Sequence, residues 1–299
     1  MSDTPKRLNL EVLKKSTYKM SDRVKIVSQT IIIFVFIDDI LKSIGHTTDK
    51  RADCDDSEIL TTAMISALHY GGNHADAIGF VKETGLMPTM IGESRFNRRL
   101  HKIADLTVSL FFQLGQVIMS LDEDLTYRID SFPVKSCHNI RIKRSKLFKG
   151  EEFRGYNASK REYFYGIKVF VITNRDNKPV EYTFTPGAWS EIDGFRQMPL
   201  QLPVLATLFG DSGFTDYTHE DDLKEGQNID MKIARKKNSK KQHLPWWNYI
   251  ISVERKPIET TFSELTALLA RKIHAVTRKG FLLKVVLMIF AHLVDQFIN

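Results

Sequence analysis

The spacing of apolar residues along the chain changes near residue 120, and before that point it is helical. A run from Ser57 to His69 has apolar residues at helical spacing, and Gly71-Gly72 marks its end. Either Asp56 or Ser57 is expected to cap its start. A second helix is predicted from His74 to Thr84, closed by Gly85. The N-terminal part is therefore predicted to be helical.

A third helix is predicted from Ser94 to Ile103, with Phe96, Leu100 and Ile103 along one side. Its remaining surface is strongly basic. A short series of helices ending in a basic one is compatible with a helix-turn-helix-like DNA-binding domain, whose last helix would read the DNA. A plain amphipathic helix is the alternative. The candidate DNA contacts are Arg95, Arg98, Arg99 and Lys102.

After residue 120 the pattern indicates strands. The predicted strands are Leu125–Ile129, Tyr163–Thr173, Val180–Thr185, Pro203–Phe209 and Ile229–Ala234. The second and third flank a turn rich in Asn, Asp and Pro, so they form a hairpin. A long helix follows, with Ile258, Phe262, Leu265, Leu269 and Ile273 at spacings of three and four. We expect an α/β or α+β sheet domain over 120–299, after a helical domain over 1–119.

Composition excludes several classes of protein. Cys54 and Cys137 are the two cysteines, which excludes a disulfide framework and a zinc ribbon. The first ten residues do not resemble a secretory signal, so a cytoplasmic protein is expected. Two apolar runs, 31–37 and 281–294, are too short or too polar for a membrane span and are predicted to be buried helix segments.

The positive charge is concentrated in two places. The net charge is +7, and nine basic residues lie between Lys135 and Arg161, while six lie between Lys232 and Lys241 without an acidic residue. Such clusters favour a nucleic-acid partner, although a solvated surface loop is an alternative. The candidate DNA contacts there are Arg141, Lys143, Arg144, Arg235, Lys236 and Lys237. The aromatic residues Trp246, Trp247 and Tyr249 could either stack on an unpaired base or pack in the core.

Three carboxylates stand in contexts suited to binding a metal ion. Asp130 ends the first predicted strand in RIDSFPV, Asp211 ends a later one in FGDSGF, and Glu259 lies early on the long helix. If the two strands are adjacent and parallel, their acids lie side by side and need a shared cation. Magnesium suits such a sparse oxygen set. Taken singly, however, each acid is also typical of a turn, a cap or a surface ion pair.

Two neighbours of Glu259 affect its role. Arg255 precedes it by four residues and, on a regular helix, shares its face, so it would hold the glutamate or meet a phosphate. Pro257 requires a first helical turn or a kink.

The blocks IDSFPV, GDSGF and RxxIExxF resemble the catalytic blocks of bacterial insertion-sequence transposases of the Asp-Asp-Glu class. The likeness is greatest to the family of insertion sequence nine-eight-two and also includes SRFNRRL, FYGIK and KIARKKN. It implies a ribonuclease-H-like mixed sheet flanked by helices, preceded by an all-α helix-turn-helix-like domain. Asp130 would lie on the first strand, Asp211 after the fourth and Glu259 on a late helix. Related transposases carry a Lys or Arg seven residues after the glutamate, where this chain has Thr266; Arg271 and Lys272 come later.

The resemblance implies a transposase that binds terminal inverted repeats, cleaves DNA with two divalent ions, Mg²⁺ or Mn²⁺, and joins the 3′-hydroxyl ends to target DNA. Asp130 would bridge the ions, and Asp211 and Glu259 would each hold one. The partners would be double-stranded DNA and, by analogy, a second copy of the chain. No Walker-type loop occurs, so no nucleotide cofactor is expected. Two alternatives remain: a nuclease that does not join ends, and a catalytically dead DNA-binding derivative.

Overall fold

The structure, a computed structural model, describes residues 10–158, 160–269 and 273–298. The chain forms two compact units that divide at residue 100. The helices up to this division are α1 (Leu10–Ser43), α2 (Asp56–His69), α3 (His74–Glu83) and α4 (Glu93–Lys102). The three helices predicted from the sequence correspond to α2, α3 and α4. All regular secondary structure in the described part of the first unit is helical, as expected.

The start of α2 differs by one position from the expected cap. Asp55, rather than Asp56 or Ser57, is the N-cap residue, and the backbone N–H of Asp55 donates to Glu58 Oε2 at 2.8 Å. The reason is that the Asp56 carboxylate is buried and engaged elsewhere. At the other end, Gly71 and Gly72 adopt φ angles of +54° and +78°, which favour glycine and allow the chain to leave the helix as predicted.

The apolar face predicted for α4 is confirmed, since Phe96, Leu100 and the following Ile103 are all buried. Arg99, by contrast, does not point into solvent. Its guanidinium donates to Asp56 Oδ1 at 3.0 and 2.9 Å, and His46 Nε2 lies 2.9 Å from the other carboxylate oxygen. Arg99 is therefore engaged in a largely buried ion pair with Asp56, and its contact with DNA stays a prediction.

The second unit is built on a mixed sheet. Its elements are α5 (Ala104–Leu121), β1 (Thr126–Cys137), β2 (Arg154–Asn157), β3 (Glu162–Thr173), β4 (Pro179–Pro186), α6 (Glu191–Phe195), β5 (Thr207–Gly210), α7 (Tyr217–Gln227), β6 (Asp230–Ile233), α8 (Pro245–Glu254), α9 (Lys256–Leu268) and α10 (Arg278–Ile298). The strand order is β2-β3-β1-β5-β6, and β4 also pairs with β3. Pairing of β1 with β3 and of β3 with β4 is antiparallel, whereas β1, β5 and β6 are parallel. This arrangement is consistent with the expected ribonuclease-H-like fold.

Two predicted strands have different limits. β1 does not end at Asp130 but continues to Cys137, because residues 130–137 pair with β3 after the pairing with β5 has ended. β5 begins at Thr207 instead of Pro203, since the preceding Leu205 has a φ of +72°, outside the strand conformation. The hairpin of β3 and β4 is confirmed. The short strand β2 was not expected. Because β2 adds one strand to the count, Asp211 follows the fifth strand, β5, and not the fourth.

Helix α5 packs against the sheet, which explains why the compact units divide before the expected boundary at residue 119. The rings of Phe111 and Phe112 lie 4.8 and 5.2 Å from that of Tyr182 on β4. At Gly115, a Cβ atom would lie 2.4 Å from the carbonyl oxygen of Val180, so only glycine allows this approach. The assignment of DNA binding and catalysis to residues 1–119 and 120–299 stays a prediction.

Two described helices, α5 and α10, are long and apolar enough to cross a membrane. That is weak evidence, because the core helix of a folded domain meets the same criterion. Residues 281–294 of α10 form one of the most buried segments of the second unit, as predicted for a core helix. In the run 31–37 of α1, Ile33 and Ile37 are buried, whereas Ile31 and Ile32 are about half exposed.

We expect Arg99→Ala to destabilise the first unit by ~3 kcal/mol, because it leaves the buried Asp56 carboxylate without its guanidinium partner. The neighbouring Arg98→Ala is the matched control. Arg98 is exposed and donates to the Ser94 carbonyl oxygen of its own helix at 3.4 Å, so its removal should change stability by less than about 0.5 kcal/mol. Urea-induced unfolding measures both. Equal effects of the two variants would contradict the structural role of Arg99.

Candidate catalytic site

Asp130 and Asp211 are brought to neighbouring positions by the parallel pairing of β1 with β5. Thr126 pairs with Thr207, and Arg128 pairs with Phe209. Continued by two residues, the same register sets Asp130 opposite Asp211, at the point where the two strands separate. Open sheets bind ligands at the carboxyl ends of parallel strands. The predicted juxtaposition of these two acids therefore follows from the observed sheet.

The Asp130 carboxyl group is held in an environment that disfavours its charge. Burial raises its pKa to about 7, and the carboxylates of Asp211 and Glu191 raise it as well. The backbone N–H of Ser131, which donates to Asp130 Oδ1 at 2.7 Å, and the Arg255 guanidinium act in the opposite direction. A cation bound between the two aspartates would relieve this repulsion.

Asp211 is fixed by its own turn. It caps a short 3₁₀ helix over residues 212–214, and its Oδ1 accepts a hydrogen bond from the Gly213 N–H at 2.7 Å. Its Oδ2 lies 3.9 Å from Arg255 Nη2, so Arg255 is next to Asp211 rather than placed only as a companion of Glu259. One oxygen of Asp211 is thus held by backbone, while the other faces a positive charge that a metal ion could replace.

Glu259 is exposed in the first turn of α9. As its position requires, Pro257 lies in this first turn, and Arg255 separates α8 from α9. The helix packs on β1 through the rings of Phe262 and Phe132, whose centres are 4.9 Å apart. Across the described residues, no three His, Cys, Asp or Glu side chains are close enough to share a metal ion. The structure thus pairs Asp130 with Asp211 but does not bring Glu259 into the same group.

The two glutamates nearest in sequence to Glu259 have other partners. The Glu254 carboxylate lies 2.8 Å from Arg128 Nη2, whereas the Glu264 carboxylate accepts a hydrogen bond from the Gln296 side-chain amide at 3.4 Å and lies 3.5 Å from His292 Nε2. Burial lowers the pKa of His292. These contacts distinguish Glu259 from its neighbours more clearly than sequence spacing does.

Arg128 is a buried arginine that the sequence patterns did not single out. Its Nη1 donates to the carbonyl oxygens of Asn174 and Arg175, both at 3.0 Å, and its Nε donates to the Glu254 carbonyl oxygen. It therefore ties the end of α8 to β1 and to the β3–β4 turn. An arginine inside a predicted strand, two residues before a candidate catalytic aspartate, is the signal that could have identified it.

Glu191, whose charge acts on Asp130, and its partner Lys168 were also missed. Lys168 Nζ is 3.0 Å from Glu191 Oε1 and donates to the Trp189 carbonyl oxygen at 2.7 Å. The Ser131 hydroxyl donates to the same Glu191 oxygen at 3.4 Å. This pair supports the backbone that carries Asp130. Lys168 is the lysine of the FYGIK block, and a lysine within an apolar strand was the available clue.

The predicted DNA contacts differ in how accessible they are. The Arg235 side chain is 3% exposed, forms a two-pronged ion pair with Glu220 and lies 5.1 Å from the Tyr217 ring, so it is not a surface contact. Arg95 pairs with Asp53 at 2.9 Å but is largely exposed. The remaining exposed candidates are Arg98, Lys102, Arg141, Lys143, Arg144, Lys236 and Lys237.

The aromatic residues of α8 do not form core. Trp246 and Tyr249 are 53% and 72% exposed, which excludes core packing for both.

Thr266, at the position where a cation was expected, donates its hydroxyl to the Phe262 carbonyl oxygen at 2.6 Å. Arg271 and Lys272 lie outside the described residues.

The donor set of the two aspartates fits a hard divalent ion. Mg²⁺ is commonly held by one or two carboxylates, with water and substrate phosphate oxygens filling its other positions. Asp130 and Asp211 supply two carboxylates, and among the described residues no His or Cys side chain joins them to form a zinc-like ligand group. The site is therefore suited to Mg²⁺ or Mn²⁺ in its described part, with DNA supplying further oxygen ligands.

Residues 122–278, more than half of the chain, match the family model described as "Transposase DDE domain". The matched segment includes Asp130, Asp211 and Glu259. No curated protein and no solved structure matches the chain.

The raised pKa of Asp130 predicts how stability depends on pH. An unfolded carboxyl ionises near pH 4, so between about pH 4 and pH 7 the native state keeps a proton that the unfolded state has lost. The free energy of unfolding of the metal-free protein should thus decrease as pH rises through this window. Asp130→Asn removes the charge and should raise the Tm at pH 8 by about 2–4 °C, but have little effect at pH 4.

Asp124→Asn is the control for this measurement. A hydrogen bond from Thr126 and the Arg175 charge lower the pKa of Asp124, so its charge stabilises the fold and its removal should not raise the Tm at pH 8. Thermal unfolding in excess EDTA at both pH values compares the variants. A gain for Asp130→Asn that is equal at pH 4 and pH 8 would contradict the inferred burial of charge.

Proposed function

Because the chain belongs to the transposase DDE-domain family, we propose that it is a DNA transposase that cleaves phosphodiester bonds at the ends of an insertion sequence and joins them to target DNA. The observation that carries this proposal is the register of β1 and β5, which sets Asp130 opposite Asp211. Members of this family are generally dependent on divalent metal ions. The finer assignment, to the family of insertion sequence nine-eight-two, rests on the sequence blocks.

Asp130 and Asp211 would hold the ions, and Glu259 would complete the set. When bound, two divalent ions activate the attacking oxygen and stabilise the leaving oxygen of an in-line displacement. In the first step a water oxygen forms a bond to phosphorus and the bond to the 3′ oxygen breaks, which releases a 3′-hydroxyl. In the second, that hydroxyl attacks a phosphorus of target DNA and displaces another 3′ oxygen. Both steps are displacements at phosphorus, so one set of carboxylates serves both.

The protonation of Asp130 links this reaction to pH. With a pKa of about 7, its carboxyl group still carries a proton in part of the molecules at neutral pH, and that proton must leave before both oxygens can bind a cation. Cleavage should therefore be faster at pH 8 than at pH 6.

Arg255, beside Asp211, would move to a phosphate of the DNA once the ions neutralise the carboxylates.

Glu259 is proposed as the third acid although its side chain is exposed. It lies on the helix that packs on β1 close to Asp130, and Glu254 and Glu264 have other partners. The break between α8 and α9 at Arg255 gives the first turn of α9 a place to adjust when DNA and metal ions bind.

Exposed basic residues of both units would bind the DNA backbone. Those of the second unit are Arg141, Lys143 and Arg144 on a 3₁₀ helix over 139–144, and Lys236 and Lys237 after β6. On α4, Arg98 and Lys102 are the better candidates, since Arg99 is engaged with Asp56.

The same proposal includes a helix-turn-helix role for the first unit. It also includes a homodimer that pairs the two ends of the element and acts in the cytoplasm.

We expect Asp130→Asn, Asp211→Asn and Glu259→Gln each to reduce Mg²⁺-dependent cleavage of DNA by at least about 10³-fold, which corresponds to ~4 kcal/mol of transition-state stabilisation. Circular dichroism and thermal unfolding should show a folded protein in each case. Glu264→Gln is the matched control, because Glu264 lies on the same helix but accepts a hydrogen bond from Gln296 on α10; it should cleave as the wild type does.

Cleavage at wild-type rate by Glu259→Gln would remove Glu259 from the site. A strand-transfer assay with a pre-cut end then separates a transposase from a nuclease that does not join. The absence of nicking by the wild type with both Mg²⁺ and Mn²⁺ would instead indicate a DNA-binding derivative without catalytic activity.

The double substitution Arg98→Gln with Lys102→Gln should weaken binding to duplex DNA. It should also reduce the slope of log K against log salt by about 0.9 for each DNA phosphate that the protein no longer neutralises. Fluorescence anisotropy at several salt concentrations measures this. Metal-dependent processing of a pre-nicked substrate at saturating protein should remain. An unchanged slope would exclude this part of α4 from the DNA-binding surface.

A further inference from the structure

Helix α8 carries an exposed aromatic face. Trp246, Tyr249 and Val253 follow one another at spacings of three and four, so they share one side of the helix. Their exposed fractions are 53%, 72% and 41%, whereas Ile251 on another side is buried. Large apolar side chains exposed together are unusual on the surface of a folded protein and commonly mark a binding site.

The indole of Trp246 is held in place by its neighbours. It stacks on the ring of Trp247 with a distance of 4.5 Å between centres and an angle of 29°. The Trp247 ring in turn lies 4.5 Å from Lys232 Nζ on β6, and that ammonium group pairs with Asp230 at 2.8 Å. Trp246 thus presents a half-exposed aromatic surface whose orientation is fixed from the sheet.

The segment that leads into α8 is basic and ordered. We name residues 234–244 the lysine loop. The side-chain amide of Gln242 lies within hydrogen-bonding distance of three of its carbonyl oxygens, those of Lys236, Lys237 and Ser239, at 2.9, 3.2 and 3.0 Å. The side chains of Lys236, Lys237 and Lys240 are exposed. No acidic residue occurs from position 232 to position 253.

We propose that the α8 face and the lysine loop together bind single-stranded DNA, with unpaired bases stacking on Trp246 and Tyr249 and lysines contacting the phosphates. Aromatic rings combined with positive charge are the chemistry that binds unpaired nucleic acid without sequence preference. Bases within a duplex already stack on each other, so an exposed ring gains little from them. This inference rests on the proposed function. It specifies that the bound DNA is a strand that is unpaired next to the cleaved end.

The test measures binding in excess EDTA, where cleavage cannot occur. The full-length protein is titrated into a short fluorescein-labelled single strand and, separately, into a duplex of the same sequence. Trp246→Ala should weaken binding to the single strand about tenfold and leave duplex binding unchanged. Trp246→Phe, which keeps an aromatic ring, should restore most of the affinity. Quenching of tryptophan fluorescence by the unlabelled single strand should decrease in Trp246→Ala.

Tyr163→Ala is the matched control, since Tyr163 is 63% exposed but lies on β3. It should bind the single strand as the wild type does. An equal loss of affinity in Tyr163→Ala and Trp246→Ala, or an equal loss of duplex and single-strand binding in Trp246→Ala, would overturn the proposal. The proposal would also be wrong if Trp246→Ala binds oligonucleotides normally but no longer self-associates, because the face would then bind a second copy. The same holds if the variant binds oligonucleotides normally but no longer sediments with anionic vesicles, because the face would then bind a lipid surface.

The two proposals can fail separately. If the wild type does not cleave DNA but its single-strand affinity falls on Trp246→Ala, the catalytic proposal is wrong and the binding surface stands. If Trp246→Ala binds the single strand normally while the wild type cleaves and joins DNA, only the binding surface is wrong.

Discussion

The candidate site depends on three parallel residue pairs between β1 and β5. Thr126, Tyr127 and Arg128 pair with residues 207–209, and the strands separate just beyond. Because side chains alternate along a strand, a shift of this register by one residue would turn one aspartate away from the other. The antiparallel pairing of β1 with β3 continues through Asp130 and keeps the strand from shifting. The sheet therefore brings the backbones of the two acids together, and the turn after Asp211 then orients its carboxylate.

A second constraint acts across the sheet through Arg128. The same strand that carries Asp130 holds the end of α8 by hydrogen bonds to Glu254, and α9 begins directly after it. The guanidinium also holds the β3–β4 turn. A single buried side chain thus relates the strand of the first acid to the helix of the third. Glu191 acts next to Asp130 as well: it accepts a hydrogen bond from the Ser131 hydroxyl, and Lys168 holds the Glu191 carboxylate in place.

The parts of this molecule that local pattern determines could be read from the sequence. Apolar periodicity located α2, α3, α4 and the β3–β4 hairpin, and the block around Asp211 indicated an acid at a strand end. Strand limits were less accessible: β1 extends past Asp130 because β3 offers it a partner, which is a property of the sheet and not of the segment. Pairing of charges was also hidden. Arg99 and Arg235 looked like surface cations, but Asp56 and Glu220, distant in sequence, draw them into buried ion pairs. The aromatic residues of α8 could be read in two ways until their exposure was known.

The lysine loop has a further consequence for how copies of this protein behave at high concentration. β6 forms one end of the sheet order, and an open strand edge can recruit a strand of another molecule and start aggregation. This edge is only four residues long and carries Asp230 and Lys232, and the ring of His243 lies 2.8 Å from the Ile233 carbonyl oxygen at its end. A short, charged and partly covered edge offers a poor template for strand addition. The same basic segment that suits a polyanion therefore also helps to keep the sheet from growing by adding strands from its neighbours.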